Sequence, residues 1–301
     1  MGAPELFVAS VTPFTSPSGA VDHSFIVRHL RWLEAQGVDG VVPCGTTGEG
    51  QSLSVAERMA IFDTVMQHRG RLRVFAGTGC AALSDTIALT RYAIERGADA
   101  ALVLPPFYFK NLSDAGLLGY YRALCDALPS GARLILYHIP PISHVPITSA
   151  VIEGLYQSHP HMVYGLKDSG GDPAYLAALT QRFPGLRVYV GNAELLAQAL
   201  RDGAAGGIFA LSNVFPREMR AVMTAYLTGS DVEAAQQRVT ALSQALKPYS
   251  APPAIKALLA YLTDLPRASS RFPLVDLAPD EAEALWAAVQ QVSHVERLSD
   301  V

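Results

Sequence analysis

The 301-residue sequence predicts an α/β fold, a closed (β/α)8 barrel of the TIM type with a C-terminal helical extension. Eight short runs rich in β-branched residues recur at intervals of roughly 25 to 35 residues, the length of a strand–helix unit. Helical periodicity fills the segments between them, and apolar strands alternating with helices are typical of a parallel sheet covered on both faces. Eight units within about 220 residues favour a closed barrel, with an open doubly wound sheet as the alternative.

The predicted strands are the eight runs that carry this pattern. They are LFVASV (6–11), VDGVVPCG (38–45), RVFAGTG (73–79), DAALVLPP (99–106), RLILYHIP (133–140), VYGLKD (163–168), RVYVGN (187–192) and GGIFALSN (206–213). Before the second run, Leu30 and Leu33 repeat at helical spacing. Gly37, Gly97 and Gly203 each stand between a helical segment and a strand, where glycine suits a left-handed helix end.

The strand pattern stops after Asn213. Helical periodicity follows in residues 221–246, 253–262 and 281–292. Pro252 and Pro253 predict a break between the first two of these helices. We expect residues 1–225 to form the barrel that carries the active site and residues 226–301 to form a helical extension packed on it.

The composition argues against several classes of function. The chain has 23 Lys and Arg against 27 Asp and Glu, and its basic residues are scattered, so they form no basic surface for nucleic acid. Cys44, Cys80 and Cys125 form no CxxC pair, which predicts neither a disulfide framework nor a zinc site. The sequence has no signal-peptide pattern and no apolar run long enough to span a membrane. We expect a cytoplasmic protein that binds neither nucleic acid nor membrane.

Lys167 is the most informative candidate for catalysis. The chain has four lysines, and Lys110, Lys247 and Lys256 fall in a loop or in the helical tail, whereas Lys167 falls in the sixth predicted strand. An amine that points into a barrel must pair its charge or lose it, and an uncharged amine is a nucleophile. Position alone is equally compatible with a structural ion pair to Asp168.

Two further features lie near the C-terminal ends of predicted strands, where a barrel of this type carries its reactive groups. Tyr137 lies one strand away from Lys167, so its phenol could pass protons beside the amine, although a tyrosine in a strand is more often a core residue. The loop 45–48 offers backbone N–H groups and the hydroxyls of Thr46 and Thr47, which suit a small carboxylate. Alone, this loop is equally an ordinary turn.

Four motifs occur together in the order and approximate spacing of one known family. They are Val11-Thr12-Pro13-Phe14, Gly45-Thr46-Thr47-Gly48-Glu49, Tyr137-x-Ile139-Pro140 and Gly165-x-Lys167-Asp168. From residue 6 to about residue 290, the sequence resembles the dihydrodipicolinate synthase and N-acetylneuraminate lyase family. Each motif is weak alone, but jointly they are highly specific.

The resemblance implies a class I enzyme whose Lys167 forms a Schiff base with pyruvate while Tyr137 shuttles protons. Thr46 would relay protons between Tyr137 and Tyr108, and in synthase members the tyrosine that matches Tyr108 reaches in from a neighbouring subunit. The residues that match substrate-binding positions are Thr47, Gly191 and Ile208. Many members are homotetramers built as dimers of dimers, and the implied chemistry uses neither a cofactor nor a metal.

The sequence departs from two branches of the family. Synthases of the lysine precursor place an arginine at the position of Ile142 to bind aspartate semialdehyde, and here only His144 offers a partial substitute. Sialic acid lyases carry two adjacent carboxylates where this chain has Ala193 and Glu194. The stretch 167–172 is similar to that of 4-hydroxy-2-oxoglutarate aldolases, and Lys-Asp followed by Ser or Thr also occurs in 2-oxo-3-deoxy sugar acid aldolases. We therefore expect a lyase for a small 4-hydroxy-2-oxo acid, with 4-hydroxy-tetrahydrodipicolinate synthase as the alternative.

Three functions of other kinds fit single features of the sequence. The run 77–82 resembles a GxGxxA dinucleotide fingerprint, but it lies on the third unit, and no acidic residue closes a strand about 20 residues later. A metal-dependent aldolase would need converging His and carboxylate ligands, and the eight histidines lie mostly in helices or loops. A barrel that binds 2-oxo acids without catalysis is the third alternative.

Overall fold

Eight parallel strands close into a barrel in the computed structural model, which describes residues 2–293. The strands are β1 (Glu5–Val8), β2 (Gly40–Val41), β3 (Arg73–Gly77), β4 (Ala100–Val103), β5 (Leu134–His138), β6 (Val163–Asp168), β7 (Arg187–Val190) and β8 (Gly206–Phe209). Each strand pairs with its neighbours in sequence order, and β8 pairs with β1. The predicted (β/α)8 TIM barrel is confirmed, and the open doubly wound sheet is wrong.

Each predicted run overlaps one strand, although β1 begins at Glu5, one residue before its run, and most strands are shorter than their runs. The run 38–45 contributes only two residues to β2. Val42 still donates its N–H to the carbonyl of Val8 at 2.7 Å. Pro43 follows at once and has no N–H, so it cannot extend that pairing. The remaining residues of such runs form the loops at the C-terminal mouth of the barrel.

Twelve α-helices lie within the described residues. They are α1 (His23–Ala35), α2 (Val55–His68), α3 (Leu83–Glu95), α4 (Asp114–Asp126), α5 (Pro140–Ser143), α6 (Ser149–Ser158), α7 (Pro173–Arg182), α8 (Leu196–Arg201), α9 (Pro216–Thr228), α10 (Val232–Leu246), α11 (Ala251–Leu262) and α12 (Pro279–Val292). The predicted helix-ending glycines are confirmed, with φ of +77° at Gly37, +90° at Gly97 and +91° at Gly203. Glycine adopts these angles without the steric penalty that a β-carbon brings.

Side chains that alternate along the strands form two separate cores. The inner core fills the barrel. Within it, the rings of Phe7 and Phe75 stack with centroids 3.9 Å apart, and the Tyr189 ring lies 5.8 Å from each. The outer core lies between the strands and the surrounding helices. The barrel interior is therefore packed and is not a channel.

The structure corrects the predicted helical tail. The single helix over residues 221–246 is wrong, because Gly229, with φ of +68°, separates α9 from α10. Helix α11 begins at Ala251, and Pro252 and Pro253 lie in its first turn, where prolines fit because no N–H is needed. The run 281–292 lies within α12 and is confirmed.

The helices of the extension contact one another and helices of the barrel. Helix α10 contacts α8, α9 and α12, and α11 also contacts α12. The division of the chain after residue 225, a position inside α9, stays a prediction, and residues 294–301 of the extension lie outside the described residues. Within residues 2–293, no helix has the length and apolar character to cross a bilayer.

Candidate active site

Lys167 lies near the end of β6 with its side chain inside the barrel. Its partners in the adjacent strands are Tyr137 of β5 and Tyr189 of β7. Lys167 is only 5% exposed. Its Nζ donates a hydrogen bond to the Tyr137 hydroxyl at 3.4 Å and lies 4.4 Å from the centre of that ring. Among the described residues, no carboxylate forms an ion pair with Lys167.

Asp168 points away from the Lys167 amine. Successive residues of a strand face opposite sides of the sheet, and the Asp168 carboxylate accepts the N–H of Gly170 at 2.9 Å. Burial raises the pKa of Asp168 to about 6, which the Gly170 N–H opposes and the nearby charge of Asp172 increases. The alternative interpretation of Lys167, a structural ion pair with Asp168, is therefore wrong.

Tyr137 connects the amine to the loop after β2. The Tyr137 hydroxyl lies 3.3 Å from Oγ1 of Thr46, and either oxygen can donate the proton of that hydrogen bond. Tyr137 is buried, whereas Thr46 is exposed at the mouth. A cavity of about 10 Å³ borders both residues, which is space for about one water molecule. The family resemblance implied a proton relay through Tyr137 and Thr46 beside Lys167, and the fold joins these three side chains in one hydrogen-bonded series.

The loop after β2 keeps its shape through close packing. A β-carbon on Gly48 would lie 2.8 Å from the carbonyl oxygen of Ser10, and one on Gly50 would lie 2.1 Å from that of Cys44. Only glycine fits at such distances. Thr12 donates its hydroxyl to the carbonyl of Gly48 at 2.7 Å. The first two sequence motifs are therefore parts of one packing unit.

The residues selected for substrate binding lie around the same mouth. Thr47 is buried in the loop after β2, and Ile208 belongs to the inner core. Gly191 follows β7 and donates its N–H to the carbonyl of Asp168 at 2.6 Å. A β-carbon on Gly191 would lie 2.0 Å from Oγ of Ser169 and 3.0 Å from the carbonyl oxygen of Asp168, so glycine leaves room here for the Ser169 hydroxyl. Strands β6, β7 and β8 are neighbours, which brings Gly191 and Ile208 to the reactive side of the barrel.

Several candidate residues are exposed on the segments after β4 and β5. Tyr108 is 75% exposed and its ring contacts Phe109, itself 70% exposed. Within residues 2–293 of this single chain, no hydrogen bond joins Tyr108 to Thr46. Ile142 is also exposed, and so is His144, which adopts a left-handed conformation at the end of α5. The roles assigned to Tyr108 and His144 stay predictions.

The sequence did not reveal the partner of Lys256, a lysine expected in the helical tail. The structure buries the Lys256 amine against the Glu49 carboxylate, 2.5 Å away. Glu49 is the last residue of the Gly-Thr-Thr-Gly-Glu motif. One signal was available, because Lys256 is the only charged residue in the apolar run of α11.

A cavity of about 260 Å³ opens beside Gly191, between the ends of β7 and β8 and the helices α10 and α11. Its polar lining residues are Asn192, Glu194, Ser243, Lys247 and Tyr249. The Glu194 carboxylate accepts from the Ser243 hydroxyl at 3.0 Å and from the Gln244 amide at 2.9 Å. Docking of α10 on the barrel thus adds tail residues, including Lys247, to this cavity.

The alternative functions find little support in the structure. A β-carbon on Gly77 would lie 2.5 Å from the carbonyl oxygen of Cys44, and one on Gly79 would lie 2.6 Å from the backbone nitrogen of Leu104. Packing between neighbouring barrel loops therefore explains the glycines of the GxGxxA run. In the part of the chain that the structure describes, no group of three or more His, Cys, Asp or Glu side chains could hold a metal ion.

The family was tested by comparison with known proteins. The chain matches the model of the dihydrodipicolinate synthetase family over residues 3–292. It belongs to this family. The resemblance that the four motifs indicated is thereby confirmed, and the chain is an enzyme of the lyase and synthase group that this family comprises.

Family relatives match over almost their whole length. An uncharacterized DapA-like lyase of Chloroflexus aurantiacus is 51% identical over 284 residues, covering 94% of this chain and 95% of that protein. The 4-hydroxy-tetrahydrodipicolinate synthase of Sorangium cellulosum is 36% identical over 293 residues, covering 95% of both. Among solved structures, YagE of E. coli K12 in complex with pyruvate has a TM-score of 0.89 at 25% identity, covering 96% of this chain and 98% of that one. KD(P)GA from T. tenax has a TM-score of 0.87 at 26% identity, with the same coverage.

Proposed function

We propose that the protein is a class I pyruvate-dependent aldolase or lyase that works through an imine on Lys167 and cleaves or forms a small 4-hydroxy-2-oxo acid. The observation that carries this proposal is the hydrogen-bonded series of the Lys167 amine, the Tyr137 hydroxyl and the Thr46 hydroxyl. A lysine amine that lies beside a hydroxyl group, without a carboxylate partner among the described residues, is placed to act as a nucleophile towards a carbonyl group.

In the cleavage direction, the uncharged Lys167 amine attacks C2 of the 2-oxo acid and forms a carbinolamine. Loss of water gives a protonated imine. The electron pair of the C3–C4 bond then moves towards the imine nitrogen as the 4-hydroxyl loses its proton, which releases an aldehyde and leaves an enamine. Protonation of C3 and hydrolysis of the imine return pyruvate and the free amine. Condensation follows the same steps in reverse.

Tyr137 and Thr46 move protons in this scheme. The Tyr137 hydroxyl lies within hydrogen-bonding distance of both the Lys167 amine and Oγ1 of Thr46. It can therefore deliver the proton that leaves with water and receive one from the mouth through Thr46. The pyruvate part of the substrate would be held by Thr47, Gly191 and Ile208.

The cavity beside Gly191 would receive the part of the substrate beyond C4. Its Lys247 amine suits a carboxylate, and Asn192 and Glu194 can hydrogen-bond to hydroxyl groups. This lining favours a substrate of the 4-hydroxy-2-oxoglutarate or 2-oxo-3-deoxy sugar acid type. The second candidate is 4-hydroxy-tetrahydrodipicolinate synthase, which the Sorangium relative favours. Ile142 opposes that candidate, because an alkyl side chain cannot bind a carboxylate.

The proposed working form is a homotetramer built as a dimer of dimers. Tyr108 and Phe109 support it, since two adjacent aromatic side chains that are mostly exposed in one chain are typical of an interface. In such a dimer, Tyr108 of the neighbouring copy would complete the proton relay at Thr46. Cytoplasmic location stays a prediction.

The test is borohydride reduction in the presence of pyruvate, followed by mass spectrometry of peptides. We expect a reduced pyruvate adduct on Lys167, and no adduct in a Lys167→Met variant. An unmodified Lys167 peptide in folded wild-type protein would reject the proposal.

A panel of substrates separates the candidate reactions. Pyruvate release from 4-hydroxy-2-oxoglutarate or 2-oxo-3-deoxy sugar acids supports the lyase, whereas pyruvate consumption with aspartate semialdehyde supports the synthase. An adduct without any turnover across the panel would support a 2-oxo acid binding protein instead.

A further inference from the structure

Glu49 and Lys256 form the most deeply buried ion pair among the described residues. Each side chain is 1% exposed, and Nζ of Lys256 lies 2.5 Å from Oε1 of Glu49. In every other ion pair of residues 2–293, both side chains are at least 17% exposed. The two residues are 207 positions apart in the sequence, so this contact forms only when α11 docks on the barrel.

The charges of this pair are also satisfied by backbone groups and an aromatic ring. The second carboxylate oxygen of Glu49 accepts the N–H of Arg271 at 2.8 Å. Lys256 donates to the carbonyl of Ser269 at 2.7 Å, and its Nζ lies 4.9 Å from the centre of the Phe14 ring. The loop after β2, helix α11 and the segment 269–271 therefore meet at one carboxylate.

The backbone of Glu49 connects this junction to the proton relay. Glu49 has φ of +52° and ψ of 34°, a left-handed conformation that costs a residue with a β-carbon energy. Its N–H donates to the carbonyl of Thr46 at 3.0 Å and closes the turn that carries Thr46 and Thr47. Anchoring the Glu49 side chain offsets the backbone strain and fixes the turn.

Energetic considerations indicate that the pair specifies geometry more than stability. Replacing a buried ion pair by apolar groups of similar volume is often neutral or stabilising, whereas removing one partner leaves a buried charge uncompensated. Two charged side chains in an apolar junction are therefore a poor way to gain stability. They are an effective way to fix one position of a loop.

We propose that Glu49 and Lys256 are positioning residues through which the C-terminal extension holds the Thr46 hydroxyl against Tyr137. Neither residue touches the reacting atoms. The effect on catalysis rests on the proposed function, while the effect on the loop does not.

Three variants of the full chain test this proposal. Lys256→Met keeps the length of the side chain and leaves the Glu49 carboxylate without its cation. The double variant Glu49→Gln with Lys256→Met removes both charges. Asp264→Asn is the matched control, because the ion pair of Asp264 with Arg28, 3.2 Å long, also joins the tail to a barrel helix but lies on exposed side chains away from the loop.

The first measurement is hydrogen–deuterium exchange of the peptide that covers residues 45–53. We expect exchange in Lys256→Met to be faster by roughly 10-fold or more, because the loop opens without its anchor. Asp264→Asn should exchange at the wild-type rate. The double variant should lie between wild type and Lys256→Met, since no uncompensated charge remains.

The second measurement is the steady-state rate of pyruvate release from, or consumption with, the substrate that the panel identifies. Borohydride trapping with pyruvate accompanies it. In Lys256→Met we expect kcat to fall roughly 10- to 100-fold, since displacement of a positioned group by about 1 Å has effects of this size. Lys167 should still be trapped after long incubation, because its own environment is unchanged. The double variant should recover part of the lost kcat. The control Asp264→Asn should keep the wild-type kcat.

The outcomes separate the two proposals. If wild-type protein forms no adduct on Lys167, the proposed function fails, and exchange of the loop still tests the positioning role. Folded Lys256→Met with wild-type exchange and kcat overturns the positioning role. So does a rise in exchange that is equal throughout the barrel, which would mean a loss of global stability alone. If Lys256→Met does not fold, Glu49→Gln, which keeps the hydrogen-bonding shape, takes its place with the same criteria.

Discussion

The two ends of the barrel surround their ionisable side chains in opposite ways. At the N-terminal end, the Glu5 carboxylate lies 2.9 Å from the guanidinium of Arg73 and 2.6 Å from that of Arg187, and it accepts the Tyr189 hydroxyl at 2.6 Å. At the C-terminal end, the polar partner of the Lys167 amine is the hydroxyl of Tyr137. The Glu5 carboxylate is surrounded by groups of opposite charge, whereas the Lys167 amine lies beside a phenol.

This difference separates a structural network from a reactive group. Arg73, Arg187 and Glu5 are the first residues of their strands, and the N-terminal end of such a barrel generally contributes to stability. Burial raises the pKa of Tyr189, which keeps its hydroxyl protonated as a donor to Glu5. At the opposite end, the Lys167 amine pairs with the Tyr137 hydroxyl and with no carboxylate among the described residues. Chemistry is therefore expected only at the C-terminal mouth.

The largest effect is expected from Tyr137→Phe. Removing the hydroxyl takes away the proton shuttle but keeps the ring, so turnover should fall by about 100-fold or more. The matched control is Tyr189→Phe, which removes the neighbouring hydroxyl that serves the N-terminal network, and its turnover should stay within about 2-fold of wild type. Steady-state kinetics of both variants checks this, and equal losses would remove the distinction between the two ends.

A smaller effect, on stability alone, is expected from Glu5→Gln. This change leaves two guanidinium groups without their carboxylate, but both are about one-third exposed, so solvent reduces the cost to about 1–3 kcal/mol of unfolding free energy. Glu153→Gln is the control, since its pair with Arg182 is half exposed and should be worth under about 1 kcal/mol. Urea unfolding measures both. A large loss of turnover without a loss of stability in Glu5→Gln would contradict the comparison.

The smallest effect for each side chain is expected from groups buried between the strands and the surrounding helices. Burial lowers the pKa of both His29 and His138 from 6.5 to about 4, so both are neutral in the folded protein. The unfolded chain binds protons there first, so the free energy of unfolding falls as pH drops from about 7 to 5, by about 1–2 kcal/mol for each histidine. Burial raises the pKa of Asp168 from 3.8 to about 6, which acts in the opposite direction between these values.

Urea unfolding at the two pH values measures these contributions. His138→Gln should make the fall in stability shallower, because it removes a group that gains a proton on unfolding. The glutamine amide oxygen can still accept the Ile147 N–H that Nδ1 accepts at 3.1 Å. Asp168→Asn should make the fall steeper, since it removes the opposing group. Unchanged pH dependence in both variants would show that other groups control it.

Some of the site could be identified before the fold was known. Lys167 stood out because it was the only lysine in a predicted strand, and Tyr137 and Thr46 because they lay near strand ends. The sequence could not decide whether Lys167 paired with Asp168, since both interpretations have the same local pattern. The alternation of side chains along β6 decided it, because it points the two residues to opposite faces.

The sequence alone determined the eight strands, the glycines that end three helices and the types of residue at the mouth. These depend on local periodicity and backbone conformation, which neighbouring residues fix. Only the tertiary structure decided that Glu49 meets Lys256, that α10 brings Lys247 to the cavity, and that Tyr108 is exposed. The physical reason is that these features depend on closure of the barrel and docking of the tail, which join residues far apart in the chain.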